Sequence, residues 1–368
     1  MWKRGLSLGR TLMNPRPSNS WISIKGQACR SITSISEAVS ATKPRHDWTI
    51  EEISELYNSP LLELIHGAAT IHRRFHNPSE VQLCTLMNIK SGGCTEDCKY
   101  CAQSSRYNTG TEAERMVKVE DVINAAKEAK ENGSTRFCMG AAWRDMTGRK
   151  SGLKKIAEMV SEVNKLGLES CVTLGMIGQE QMRQLKEAGL TAYNHNIDTS
   201  REHYPKVITT RSYDERLETI DHVRGSGVSV CSGGILGLGE TSEDHVSFLY
   251  TLSTMPEHPE SVPINKLVPI KGTPLGDEKI TLSFDAVLRT IATARLIMPG
   301  SIIRLAAGRY TMKETEQAMC FMAGANAIFT GHKMLTTMCN GWDEDKELLE
   351  RWGMKPMKSF SRHTIGAT

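Results

Sequence analysis

From Val81 onward the chain alternates short runs of apolar and β-branched residues with longer stretches in which apolar residues recur every three or four positions. The first pattern predicts buried strands and the second amphipathic helices. Their regular alternation predicts a parallel sheet covered by helices. Eight such units can be counted, with strands expected at 83–89, 135–139, 169–174, 191–197, 229–236, 262–268, 302–306 and 327–330. Helical spacing falls between them, at 121–131, 153–166, 180–188, 213–223, 243–254, 284–297 and 314–322. Gly133, Gly167, Gly189, Gly227 and Gly324 each stand just before the next strand, where a left-handed helix C-cap favours glycine. Eight repeats predict an α/β fold of the closed (β/α)8, TIM-barrel type. Periodicity cannot show closure, so a doubly wound open sheet is the competing architecture.

On either side of residues 79–335, which carry the repeats, the pattern changes. At 47–78 it predicts a helical lead-in: Thr49 stands three residues before Glu52, a capping-box arrangement. This segment is expected to cover the bottom of the barrel. The C-terminal part, 336–368, predicts a charged helix over 343–354 and disorder after Lys355.

The first 36 residues hold Lys3, Arg4, Arg10, Arg16, Lys25 and Arg30, many serines and no Asp or Glu. That composition predicts a disordered mitochondrial transit peptide over 1–40 and a matrix location for the rest. Six basic residues taken from a formal net charge of +3 leave −3, so the basic balance belongs to this segment and not to a nucleic-acid surface. No apolar run of 18 residues occurs, so no membrane is expected as partner, and by the charge balance no nucleic acid either. Ten cysteines in a reducing compartment read as metal ligands, reactive thiols or buried apolar residues rather than disulfides.

Chemistry is signalled most sharply by Cys94, Cys98 and Cys101, a C-x3-C-x2-C run with Tyr100 before the last cysteine. Structural zinc takes four ligands, whereas a four-iron cubane on three cysteines leaves one iron open to a small molecule. Farther along, Cys138, Cys171, Cys231 and Arg304 fall within predicted strands, where a barrel interior ordinarily takes branched apolar side chains. Taken alone, these residues read as a cysteine trio and a separate anion-binding arginine. Cys84, Cys320 and Cys339 match no motif and read as small buried apolar residues, while Cys29 falls in the presequence. In the fourth predicted strand, alternation places Asn194, Asn196 and Asp198 on one face and Tyr193, His195 and Ile197 on the other. An inward face of amides and a carboxylate suits a ligand rich in hydroxyl or ureido groups. No Ser-His-Asp set or carboxylate pair is found, so no acid–base residue is assigned.

The cysteine loop resembles that of the radical S-adenosylmethionine enzymes. The wider text, Cys94–Ser105, Phe137–Trp143, Tyr193–Thr199 and Cys231–Gly234, resembles the biotin synthase family over about 50–355. The resemblance implies a full barrel and a sulfurtransferase activity: radical insertion of sulfur into dethiobiotin, the last step of biotin formation. It implies a [4Fe-4S] cluster on Cys94, Cys98 and Cys101, which binds S-adenosylmethionine. It also implies a [2Fe-2S] sulfur-donor cluster on Cys138, Cys171, Cys231 and Arg304, joining the arginine to the trio. Contacts to S-adenosylmethionine would come from Tyr100, Gly140, Ala141, Asn196, Asp198, Arg216 and Ile235, the last in the motif Gly233-x-Ile235-x-Gly237-x-x-Glu240. Met139-Gly140-Ala141-Ala142 stands where many relatives carry Gly-Gly-Glu, which leaves backbone carbonyls to receive the methionyl ammonium. Arg216 reads either as the partner of the methionyl carboxylate or as a surface helix residue. Asn194, Asn196 and Asn265 would surround the ureido ring, and their individual roles stay open. The implied partners are a ferredoxin-type electron donor, the iron–sulfur assembly machinery and a second copy in a homodimer. Competing readings are another radical S-adenosylmethionine barrel, hydrogenase-maturase-like, and an iron–sulfur carrier or scaffold without catalysis.

Overall fold

The computed structural model describes residues 35–279 and 281–360. Parallel strands β1 (Glu80–Lys90), β2 (Arg136–Ala141), β3 (Glu169–Thr173), β4 (Ala192–Asn194), β5 (Ser229–Cys231), β6 (Gly234–Leu236), β7 (Ser261–Lys266), β8 (Ile302–Leu305) and β9 (Ala327–Phe329) pair in sequence order. β9 pairs back onto β1 through Gln82–Ala327, Leu83–Ile328 and Cys84–Phe329, so the sheet closes and the open-sheet alternative is excluded. The fifth predicted strand is split. β5 and β6 share one place in the barrel, both paired with β7, because at Gly233 the chain runs against the β7 backbone. A Cβ there would stand 2.0 Å from the Pro263 carbonyl oxygen, so only glycine fits.

Apolar packing follows the expected layering. Outward strand residues such as Phe137, Val172, Tyr193, Val230 and Ile303 join the apolar stripes of the surrounding helices in one large core. The five glycines expected at helix ends all take positive φ. Inside the barrel the filling is different: Cys84, Cys138, Cys171 and Ala192 form their own cluster with Leu86 and Phe329. Small and sulfur-bearing side chains leave room where branched aliphatics would ordinarily close a barrel.

Both ends of the chain depart from expectation. The capping box forms, with the Glu52 amide donating to Thr49 Oγ1 and the Thr49 amide to Glu52 Oε2. Yet the lead-in helices Ile50–Tyr57 and Leu61–Phe75 pack on the outer helices Ser242–Ser253 and Phe284–Ile297 instead of capping the bottom. Arg289 ties them down, its Nη1 donating to the carbonyls of Tyr57 and Ser59 at 2.7 Å. The disorder expected through residue 40 extends too far: residues 35–40 are helical, and Ile35 and Ala38 are buried. Residues 1–34 of the expected transit peptide lie outside the described residues. Disorder expected after Lys355 is corrected for residues 356–360, while residues 361–368 lie outside the described residues. β12 (Lys355–Pro356) follows a short hairpin, β10 (Lys333–Met334) and β11 (Thr337–Met338), and pairs with Glu80 and Val81 of β1. Met357 is buried with Ile302 and Ala327, which makes the tail part of the barrel floor. Among the described residues, no helix is long and apolar enough to cross a membrane.

Candidate active site

A cavity of about 330 Å³ opens at the C-terminal ends of the strands, a size that suits a small-molecule site. It is lined by every residue expected to hold a cluster and by Tyr100, Ala141, Asn194, Asn196, Asp198, Arg216, Ile235 and Asn265. Gly140 is not among the lining residues. It packs beneath the Lys333–Met338 hairpin, where a Cβ would meet Leu335 Cδ2 at 2.7 Å.

The cysteine loop leaves β1 and is held by its own backbone. The amide of Cys94 donates to Gln103 O at 3.0 Å, that of Ser105 to Cys94 O at 2.7 Å, and that of Cys101 to Cys98 O at 2.9 Å. Asp97 anchors the loop to the segment after β4. Its carboxylate accepts from the amides of Thr209 at 2.9 Å and Thr210 at 3.2 Å. Burial raises the Asp97 pKa, but these hydrogen bonds outweigh it and hold the carboxyl at about 2. Burial also pushes the Cys101 thiol up to about 11. Among the described residues, no three His, Cys, Asp or Glu side chains converge on a single ion. Three cysteines on one anchored loop at the cavity mouth suit a cluster, which spreads its thiolates over several irons.

Past Asn194 the strand alternation ends. Asp198 has φ 68°, a left-handed conformation costly for a residue with a Cβ. The expected trio still lines the cavity, but a turn brings Asp198 there, and His195, expected on the opposite face, lines it too. What holds the turn is visible. The Asp198 carboxylate accepts from Tyr100 Oη at 2.9 Å and pairs with Arg216 at 2.6 Å, while the Ile235 amide donates to Asp198 O at 2.8 Å. Arg216 is buried, not a surface residue, and also donates to Tyr204 Oη at 2.7 Å and to the Asn196 carbonyl. Burial and then the charges of Arg211 and Arg216 push His195 well below the ordinary histidine range, so it is neutral.

The amides tie this turn to the barrel interior. Asn194 Nδ2 donates to Asn196 Oδ1 at 3.0 Å and reaches the Cys231 sulfur at 3.3 Å. Asn265 donates to Gly234 O at 2.8 Å and accepts from the Ala307 amide at 3.1 Å, which leaves one amide hydrogen for a ligand.

Below lies the second cysteine group. Register sets Cys138 beside Cys171 and Asn194 beside Cys231, and Arg304 is 1 % exposed. A hydrogen bond with Cys171 raises the Cys138 pKa first, with burial adding to it, while burial dominates for Cys231. Thiols so placed suit a cationic centre. Three residues here went unmarked: Arg304 donates to Cys84 Sγ at 2.6 Å, Gln82 Oε1 at 2.5 Å and Ser261 Oγ at 3.3 Å. Cys84 is therefore no mere apolar filler, unlike Cys320, which is buried in the main core. Period-two alternation in β1, which places Gln82, Cys84 and Leu86 on one face, could have found it. Arg211 also lines the cavity unannounced by the sequence reading, with Nε and Nη1 lacking hydrogen-bond partners. The hairpin contributes Met334, Leu335, Thr336 and Thr337 to the rim.

A closed parallel barrel with an anchored three-cysteine loop above its mouth defines the radical S-adenosylmethionine class. Residues 88–250 match the Radical SAM superfamily, and residues 263–355 match the Biotin and Thiamin Synthesis associated domain. The chain is 67 % identical over 328 residues to the mitochondrial biotin synthase of Saccharomyces cerevisiae, covering 88 % of each. It is 57 % identical over 319 residues to that of Arabidopsis thaliana, covering 86 % of this chain and 84 % of the relative. The chain belongs to the biotin synthase family. In fold it is similar to a methylornithine synthase, at TM-score 0.72 and 20 % identity over 88 % of this chain and 97 % of that one. A maturase of the [FeFe]-hydrogenase aligns at TM-score 0.78 and 17 % identity over 93 % and 78 %. At such identities these two speak to the fold alone.

Proposed function

We propose that this chain converts dethiobiotin to biotin by radical insertion of sulfur, in the mitochondrial matrix after loss of its N-terminal segment. The observation that carries the reading is the joint presence of Cys138, Cys171, Cys231 and Arg304 inside the barrel, linked through Asn194 to the cavity. A radical S-adenosylmethionine barrel of another kind, the hydrogenase-maturase-like alternative, has no need of that set.

Cys94, Cys98 and Cys101 would hold a [4Fe-4S] cluster, and Cys138, Cys171, Cys231 and Arg304 a [2Fe-2S] cluster. When bound, these groups and S-adenosylmethionine supply a deoxyadenosyl radical that takes hydrogen from an unactivated carbon, and the sulfide that replaces it. The residues of the chain position and shield. Tyr100, Asn196, Asp198, Arg216 and Ile235 would receive S-adenosylmethionine, with Asp198 pre-set by Tyr100 and Arg216. Ala141 would offer its backbone carbonyl to that ligand's ammonium, the part expected of Gly140 falling away because that residue lies outside the cavity. Asn194, Asn196 and Asn265 would orient the ureido ring so that the reacting carbon lies between the two cysteine groups. Leu86, Phe329 and the hairpin exclude water from that space. No side chain is assigned the part of acid or base.

The mitochondrial relatives and the acid-free basic start support the location. A fluorescent protein fused behind residues 1–45 should enter mitochondria, and a cytosolic signal would overturn it. A ferredoxin-type donor, the iron–sulfur assembly machinery and a homodimer complete the proposal. For the activity, the chain is reconstituted anaerobically with iron and labelled sulfide, given dethiobiotin and S-adenosylmethionine for a single turnover, and the biotin is weighed. Labelled biotin from a chain holding about six irons is expected. Unlabelled biotin would remove the donor role of the second cluster, and a content of about four irons would remove the cluster.

A further inference from the structure

Around Arg304 the barrel interior offers more than the three cysteines assigned to the second cluster. Five inward side chains from five strands meet there: Cys84 of β1, Cys138 of β2, Cys171 of β3, Cys231 of β5 and Arg304 of β8. Cys84 is fully buried and lies in one apolar cluster with Cys138 and Cys171. Its sulfur stands 2.6 Å from Arg304 Nη1. Any metal atom that this nitrogen could reach is therefore also within reach of a sulfur.

The two groups differ as ligands. A guanidinium can bind a metal only after a nitrogen gives up its proton, against its strong basicity, whereas cysteine thiolates are the ordinary ligands of iron–sulfur clusters. The partners of Arg304 fit a hydrogen-bonding role: Cys84 Sγ, Gln82 Oε1 and Ser261 Oγ are all acceptors.

We infer that Cys84 is a fourth thiol of the second cluster's cradle, able to take the coordination position expected of Arg304. This rests on the two-cluster reading above. In the native protein Arg304 restrains Cys84 by donating to its sulfur. When Arg304 cannot serve, the Cys84 thiol gives up its proton to solvent as its sulfur bonds to iron, and the cradle becomes an all-cysteine site.

The test reads cluster content and spectrum, with no need of turnover. The full chain and the variants Arg304→Met, Cys84→Ser and Arg304→Met/Cys84→Ser are reconstituted anaerobically with iron and sulfide. Iron is counted, and Mössbauer and absorption spectra are recorded. Serine replaces Cys84 at nearly equal volume, and a cooperative thermal unfolding transition like that of the wild type reports that each barrel has folded. Arg304→Met should keep the two additional irons, with both iron sites showing the parameters of all-thiolate ligation. Cys84→Ser should also keep them, because Arg304 remains. The double variant should lose at least five-fold in second-cluster occupancy relative to Arg304→Met. Equal occupancy in Arg304→Met and the double variant, or a non-thiolate signature in Arg304→Met, would overturn the role of Cys84. Wild type with only four irons would overturn the two-cluster reading instead, so the two failures are distinct.

Discussion

The loop after β1 and the ring inside the barrel both gather thiols, but they hold them by different means. Cys94, Cys98 and Cys101 lie within eight consecutive residues, shaped by backbone hydrogen bonds and pinned by Asp97 to Thr209 and Thr210. The ring draws Cys84, Cys138, Cys171, Cys231 and Arg304 from strands far apart in sequence, and only barrel closure and register bring them together. A local site should tolerate damage elsewhere in the barrel and fail when its anchor is cut. A distributed site should be sensitive to anything that shifts a strand.

Removing thiols should separate the two most completely. Cys94→Ala, Cys98→Ala or Cys101→Ala should abolish formation of 5′-deoxyadenosine while leaving second-cluster absorbance in place. Cys138→Ala, Cys171→Ala or Cys231→Ala should do the reverse, retaining cleavage of S-adenosylmethionine with biotin lost. Retained 5′-deoxyadenosine in any loop variant would mean that the loop does not carry the open iron.

A smaller contrast concerns ligands. Asp198→Asn removes a charged acceptor and frees Arg216, and should weaken S-adenosylmethionine binding by about 1.5–3 kcal/mol. Asn265→Ala should weaken dethiobiotin more than S-adenosylmethionine. Calorimetry with each ligand decides it, and equal losses on both ligands from both variants would dissolve the distinction.

Smallest is the anchor. Asp97→Ala should cost about 1 kcal/mol of stability at neutral pH, kept modest because solvent screens a half-buried carboxylate. The folded carboxyl lies near 2, below its ordinary 3.8, so its contribution is complete above about pH 4 and fades as pH falls toward about 2. Urea midpoints of wild type and variant should differ at pH 7, with a gap that narrows below about pH 4 and closes as pH approaches about 2. A gap that stays constant across that range would show that Asp97 stabilises by some other route.

How far each site could be read from sequence follows the same division. The loop was legible because its spacing is local, and the barrel because hydrophobic periodicity reports strands and helices directly. The turn at Asp198 was not. Alternation placed the right three side chains together for a reason that fails after Asn194, because φ is set by contacts with Tyr100, Arg216 and Gly233 that no window around residue 198 contains. Cys84 escaped because a cysteine without a motif reads as a small hydrophobe until β9 and β1 close and Arg304 arrives beside it. The ordered tail escaped because Lys355–Pro356 and Met357 are too few to signal a strand, and a partner 275 positions upstream in β1 supplies the order.

That tail gives the barrel an order of completion. Met357 packs under Ile302 and Ala327, and Ala327 pairs with Arg304, so the segment around Met357 is the stopper beneath the thiol ring. The Phe360 amide, donating to Glu169 at 2.7 Å, latches it. A ribosome or import channel that still holds residues 355–360 therefore keeps the stopper out, and the ring can be sealed from below only after that segment is free. Early termination codons, and bulky tags fused close behind residue 360, would loosen the floor beneath the thiol ring without touching any residue of the ring.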